Sequence, residues 1–366
     1  MYYFYYLNAI NKLKFVIYQT LFIMKYLYRN NKKINILLKK YNYMKLKKIK
    51  KFISKDIFLM DLLIKKKLES PIELILNISK YIKNCKGKGI RPLILLLSAK
   101  SCGYKDMEHI KLATIIEFIH TATLLHDDII DNSKLRRGVK TTNNIWGNSS
   151  TVLIGDFLYS KAFQMVSKSR SDITHILSNA SNIIAEGEIQ QLINRNNLYI
   201  TENIYFDIIK KKTATLISCS SQIGAILSNS NSETVLKYKN YGLHLGLAFQ
   251  IIDDILDYCS DKNKLGKNIG DDIRSGSLTL PIIHLLKYGD IKDKKLVEKI
   301  IYNKKNFYEN FLLLKQSLYY NESIKYAFNT AVREVQKSLK SLDNLEKNRY
   351  LFGLKRLCKL LLERYY

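Results

Sequence analysis

Two acidic runs carry the residues best suited to chemistry: Leu125-His126-Asp127-Asp128-Ile129-Ile130-Asp131 and Phe249-Gln250-Ile251-Ile252-Asp253-Asp254-Ile255-Leu256-Asp257. Asp127 and Asp131 are spaced i, i+4, as are Asp253 and Asp257, so on a helix each pair of carboxylates leaves one face. Gln250 lies a turn before the second pair on the same side. Like charges at this spacing destabilise an isolated helix, so something must offset them. A single run reads equally well as a solvated acidic patch. Two runs do not, since each sits in an apolar helix of a chain with 60 Lys plus Arg against 32 Asp plus Glu. Buried carboxylates need cations. An all-oxygen set suits a hard ion such as Mg2+, which keeps waters and bridges to phosphates.

Basic residues supply a complement. Arg136 and Arg137 follow the first run, Lys88 and Arg91 occupy a glycine-interrupted break, Lys211, Lys212 and Thr213 open another segment, and Lys267 follows the second run. Lys and Arg bind phosphate directly, whereas carboxylates bind it only through metal. Both arrangements in one cavity point to two anionic substrates held by different means, as in a diphosphate-handling site.

The elements that must position these groups are helices. From Asp56 onward apolar residues recur every three or four positions, as in Ile115, Phe118, Ile119, Ala122, Leu125 and Ile129. Helical pattern runs over about 110–131, 151–168, 173–193, 202–228 and 234–258, with breaks at Gly87–Pro92, Arg137–Gly147 and Lys262–Pro281. Only 3 Pro and 15 Gly are present, too few for the turns of a sandwich or barrel, and no Asn-Gly or Asp-Gly hairpin separates alternating strands. The expected fold class is all-α, one large domain of long helices. No run of 18 uncharged apolar residues is present, so no transmembrane segment is expected. Five scattered cysteines with no CxxC pair indicate reduced thiols.

The net charge of +28 would ordinarily point to nucleic acid. Half of it lies in residues 1–55, which hold 14 Lys plus Arg and no acid, and no interleaved aromatic binding module accompanies it, so no nucleic-acid partner is expected. The Tyr, Asn, Lys and Ile bias of this opening recurs elsewhere and looks like the output of an AT-rich genome. Residues 1–43 read either as a mis-called start ahead of Met44 or as a transit peptide, which would be basic but normally Arg- and Ser-rich. Lys12, Lys14 and Lys25 interrupt every apolar stretch, against a secretory signal.

On these motifs the chain resembles the trans-polyprenyl diphosphate synthases, and within them most nearly the long-chain, octaprenyl type of bacteria. Phe118 to Asp131 with Leu135-Arg136-Arg137-Gly138 is similar to the first aspartate-rich motif and its arginine pair. Gly155-Asp156-Phe157-Leu158, Glu186-Gly187-Glu188 to Gln191-Leu192, Lys212-Thr213, Phe249 to Asp257, Gly266 to Asp272 and Thr279-Leu280-Pro281 continue the match in order. The match runs from about residue 44 to the C-terminus, which defines residues 44–366 as the synthase domain and favours the mis-called start. The resemblance implies antiparallel helices around a deep cavity, usually in a homodimer, and a prenyltransferase extending an allylic diphosphate such as farnesyl diphosphate with isopentenyl diphosphate, for quinone side chains. Three Mg2+ are implied, two at Asp127 and Asp131 and one at Asp253 with Asp257 nearby. Arg136, Lys212, Thr213, Gln250 and Lys267 would contact the allylic substrate, and Lys88, Arg91, His120 and Arg137 isopentenyl diphosphate. His120 shares a helical stripe with Asp127 and Asp131. His126 has no such support. A cytoplasmic bacterial enzyme is expected, loosely membrane-associated at most for product release; a transit peptide would mean mitochondrion or plastid.

Short-chain members place a bulky aromatic four or five residues before the first Asp. Thr123 and Ala122 are small here, so the cavity floor is expected to be open, and Ala122→Tyr to shorten the product. Two departures stand out. The family's Gly-Gly-Lys-Arg-x-Arg-Pro is Lys86-Gly87-Lys88-Gly89-Ile90-Arg91-Pro92, and its Gly-Lys before Thr279 is Gly276-Ser277. Both predict weaker diphosphate binding, with Lys86 offsetting part of the first. A terpene cyclase would carry an Asn/Ser/Glu metal triad in place of the second run. A non-catalytic regulatory subunit of a heteromeric synthase would have lost aspartates or basic residues, and only Gly89 and Ser277 point that way.

Overall fold

A computed structural model describes residues 46–84, 87–259, 270–303 and 306–363. Helices dominate, as the three-four periodicity requires. A short basic helix over 46–51 precedes α1 (Ser54–Lys67), α2 (Glu73–Asn84) and α3 (Ile90–Ser101). Next come α4 (Glu108–Ile130), α5 (Thr142–Val166), α6 (Ser171–Ile193), α7 (Glu202–Ile209), α8 (Thr215–Leu227) and α9 (Ser232–Cys259). A one-turn α10 (Asp271–Arg274) leads to α11 (Leu280–Tyr288), α12 (Ile291–Tyr302), α13 (Phe307–Tyr320), α14 (Ser323–Ser341) and α15 (Arg349–Glu363).

The core is one apolar cluster spanning nearly every helix. Its centre holds α4 against α5, α8 against α3, and α9 between α8 and α14. α3 is apolar on all sides, with Leu93 to Leu97 buried, as a helix packed all round must be. Fully buried Tyr241 seals α9 against α15 by donating to the Leu354 carbonyl at 3.0 Å. Asp56 of α1 meets buried His109 of α4 at 3.2 Å.

Two local departures from plain helix matter for the site. Between α7 and α8 the chain widens into a π-turn, Lys210–Ala214, a form frequently found at functional sites. Between α4 and α5 a two-stranded hairpin forms, β1 (Leu135–Arg136) with β2 (Val139–Lys140). Its turn is Arg137-Gly138, both at positive φ, as a primed hairpin turn demands. The sequence showed only a break here, because the dipeptide is Arg-Gly where Asn-Gly would be the recognisable signal. Among the described residues no helix is long and apolar enough to cross a membrane, and no disulfide joins the described cysteines.

Candidate active site

The first acidic run closes α4, and Asp131 is its C-cap residue. Asp127 and Asp131 leave the helix on one side, each facing a cation. Lys212 Nζ stands 3.4 Å from Asp127, and the Arg195 guanidinium pairs with Asp131. The middle acid, Asp128, is buried and faces away, accepting from Arg136 Nε and a terminal guanidinium nitrogen at 2.8–3.1 Å. Arg136, assigned from sequence to the allylic substrate, is thus committed to Asp128.

Lys212 rides on the π-turn. Besides Asp127 it donates to Glu188 at 2.5 Å and Gln191 at 2.8 Å, both on α6. Burial disfavours its charge, but Asp127 and Glu188 outweigh that and raise its pKa. Glu188 is pushed up to about 7 by burial and Asp127, against the pull of Lys212. Gly187 makes this approach feasible: a Cβ there would lie 2.7 Å from both the Lys211 Cβ and the Lys212 backbone nitrogen.

Next to Lys212 on the same turn, Thr213 donates to the Gln250 amide oxygen at 2.8 Å, and the Gln250 amide nitrogen donates to Asp254 at 2.7 Å. Tyr205 donates to the other Asp254 oxygen at 2.6 Å. Burial and the carboxylates of Asp272 and Asp253 push Asp254 well above the usual carboxylate range. Asp253 is half-buried, and Asp257 is buried and accepts the Asp272 backbone N–H at 3.1 Å, tying α9 to α10. Lys212, Thr213, Gln250, Asp254, Asp272 and Ser277 line a cleft enclosing about 550 Å3, including its open mouth.

A second group gathers around the start of α3. Arg91 bonds His120 at 2.9 Å. Arg137 lies so close over Gly87 that a Cβ there would overlap its guanidinium. Burial, then the Arg91, Arg137 and Arg136 charges, holds His120 well below the ordinary imidazole value, so it is neutral at pH 7. Burial lowers Arg91 to about 10, still cationic, with Glu117 and Asp253 opposing the fall. Lys88 is exposed in the loop ahead of α3. Gly89 sits at φ +59°, a left-handed N-cap that suits glycine better than the family's arginine. Lys86 and Lys267 lie outside the described residues.

The floor differs from expectation at one position. Ala122 has no exposed surface, so no open space borders it, while Thr123 is half-buried with its hydroxyl donating to the His120 carbonyl at 2.8 Å. A tyrosine at 122 would therefore crowd packed neighbours, whereas Thr123 retains some exposed surface.

Four contributors escaped the sequence reading: Asp128 and Asp254, the middle acids that brace each run; Glu188, visible only as part of a motif; and Arg195, which has no sequence signal. Among the described residues, no three acidic or imidazole groups converge as a ready-made metal cage. The carboxylates nonetheless fit Mg2+, which is commonly held by one or two carboxylates and completed by substrate phosphates. Asp127 and Asp131 each already neutralise a cation.

Comparison with known proteins gives a family. Residues 72–311 match the family model described as polyprenyl synthetase. The octaprenyl diphosphate synthase of Haemophilus influenzae is 39% identical over 303 residues, 82% of this chain and 91% of that protein. That of Escherichia coli is 44% identical over 239 residues, 65% of this chain and 74% of that protein. A crystal structure of a polyprenyl synthase from Caulobacter crescentus, complexed with calcium and isoprenyl diphosphate, superposes with a TM-score of 0.84 at 32% identity, covering 88% of this chain and 98% of that one.

Proposed function

The chain belongs to the polyprenyl synthetase family and is a long-chain polyprenyl diphosphate synthase, a prenyltransferase, and from that premise we propose that its product is octaprenyl diphosphate, built from farnesyl and isopentenyl diphosphates in the cleft between the two aspartate runs. The observation that carries the reading is the pairing of unlike groups across one cleft. Lys212 holds Asp127, Thr213 holds Gln250, and a separate Arg91–His120–Arg137 cluster stands at the head of α3. The first set fits an allylic diphosphate taken through metal, and the second an isopentenyl diphosphate taken directly by cations.

Asp127, Asp131 and Asp253, with Asp257 nearby, would hold Mg2+, for which three ions per site are proposed. When bound, Mg2+ supplies Lewis-acid stabilisation to the departing diphosphate. The protein's own share is positioning. Lys212, Thr213 and Gln250 would orient the allylic diphosphate for ionisation of its C1–O bond, a task in which Lys267 is proposed to share, and Arg136 acts by bracing Asp128. Lys88, Arg91, Arg137 and neutral His120 fix isopentenyl diphosphate so that its double bond meets the allylic carbon. The buried walls exclude water, which would otherwise quench the cation. Proton loss to the released diphosphate then leaves a chain five carbons longer.

α5 and α6 each expose large apolar residues, Leu153 at 67% and Ile193 at 74% among them, which supports a homodimer through these helices. The bacterial octaprenyl relatives support a cytoplasmic bacterial enzyme. The regulatory-subunit reading is not favoured, since both aspartate runs and Lys212 are in place and the relatives are synthases over most of their length.

The test uses the full chain and residues 44–366, each with farnesyl diphosphate, labelled isopentenyl diphosphate and Mg2+, and resolves dephosphorylated products by length. A ladder ending near C40 from both is expected, which would also make residues 1–43 dispensable. Folded protein with no incorporation would sink the proposal.

A further inference from the structure

We propose that Arg195 is a diphosphate-binding residue of the allylic site, supplying the positive charge that Ser277 lacks; this rests on the prenyl-transfer reading above. Arg195 lies in the loop after α6, outside every motif. Its guanidinium pairs with Asp131 and also donates to the Ile130 carbonyl at 3.4 Å, while its Nε is buried with no partner. The next residue, Asn196, is left-handed at φ +58° and donates its backbone N–H to the Gly276 carbonyl at 2.9 Å. Gly276, at φ +86°, packs so closely on the Asn196 side chain that no Cβ fits there. The loop is therefore joined at one end to the first aspartate run and at the other to the backbone immediately before Ser277. Ser277 and Asn194 both line the cleft.

A diphosphate held between the two aspartate runs must pass this loop. In the substrate-free protein Asp131 needs a counter-charge, and Arg195 provides it. Once a divalent cation takes that carboxylate, the guanidinium keeps only the Ile130 carbonyl, and its planar fork matches phosphate oxygens. The Asn196–Gly276 bond holds the backbone, so the change asks only for side-chain rotation.

The test measures binding of inorganic diphosphate with Mg2+ to the full chain by calorimetry, alongside KM and kcat for both substrates. Arg195→Gln is expected to weaken diphosphate binding and raise the allylic KM about tenfold to a hundredfold, the range of a lost charged hydrogen bond, with the isopentenyl diphosphate KM unchanged. Ser277→Lys should restore binding in the Arg195→Gln background to within about threefold of wild type and add little when Arg195 is present, because the two charges do one task. Equal effects of Ser277→Lys in both backgrounds would overturn the proposal. So would unchanged diphosphate binding in Arg195→Gln, or a lower melting temperature with no shift in allylic KM and no rescue. Wild-type protein unable to extend farnesyl diphosphate would instead refute the functional reading, whatever Arg195→Gln does to diphosphate binding.

Discussion

Gly187→Ala should impair the site without altering any side chain proposed to contact substrate. The added Cβ would lie 2.7 Å from the Lys212 backbone nitrogen, whereas ordinary contact begins at 3.4 Å, so α6 and the π-turn must separate by about 0.7 Å, the difference of the two. Nothing cheap can yield, because the obstacle on one side is backbone. Glu188 and Gln191 move with α6 and Lys212 with the turn. The 2.5 and 2.8 Å bonds between them would stretch by up to that amount, and the ammonium would leave its post beside Asp127. Misplacement by 1 Å can cost about a hundredfold in rate, so roughly tenfold to a hundredfold in kcat/KM is expected, with about 1–3 kcal/mol of stability lost to overpacking. The control is Gly103→Ala, at φ +83° with nothing within 4 Å, which should lose about 1 kcal/mol through backbone strain and keep wild-type kinetics. Initial rates taken well below both melting temperatures separate the cases. Wild-type kinetics in Gly187→Ala, despite a lowered melting temperature, would refute the argument that this helix contact positions Lys212.

The floor of the cleft gives a second test: Thr123→Tyr, one turn or about 6 Å beyond Asp127, should shorten the main product from near C40 toward C15–C20. Ala122→Tyr, inserted where no surface is open, should instead lose about 1–3 kcal/mol of stability, and a full-length product from Thr123→Tyr would refute this view of the floor. A third test concerns α1. Burial pushes Asp56 up, but His109 at 3.2 Å and the charges of Lys100 and Lys55 outweigh it and leave its pKa below 3.8. A depressed folded pKa stabilises the protein above the unfolded value and ceases to as pH falls through the folded one. Asp56→Asn should therefore cost about 1–3 kcal/mol at pH 7, with the gap to wild type closing below pH 3.8 in denaturant titrations, and a gap independent of pH would sink the ion-pair account.

Much of this architecture was legible in the residues. The three-four periodicity gave helices over about 110–131, 173–193 and 234–258, and the structure has Glu108–Ile130, Ser171–Ile193 and Ser232–Cys259. The paired aspartates stand where helical spacing puts them, and Arg91 meets His120 although 29 residues separate them. What periodicity cannot express is a change of period. The 202–228 segment reads as one helix but contains the π-turn that carries Lys212, since apolar spacing tolerates one inserted residue. Nor does a pattern say which acid of a run turns inward. Asp128 and Asp254 sit beside the expected ligands, and only the tertiary partners Arg136 and Tyr205 reveal them as braces. Arg195 was invisible because its meaning comes from Gly276, eighty-one residues later.

The Arg137-Gly138 hairpin has a consequence for what the chain tolerates in evolution. Surface turns normally absorb insertions freely. This one sets two consecutive arginines on separate duties, Arg136 on Asp128 of α4 and Arg137 over Gly87 ahead of α3. Adding or deleting one residue would exchange which side of the ribbon each occupies, stripping Asp128 of its partner and moving the neighbouring cation away from Gly87. An exposed loop has thus become as fixed in length as a core helix.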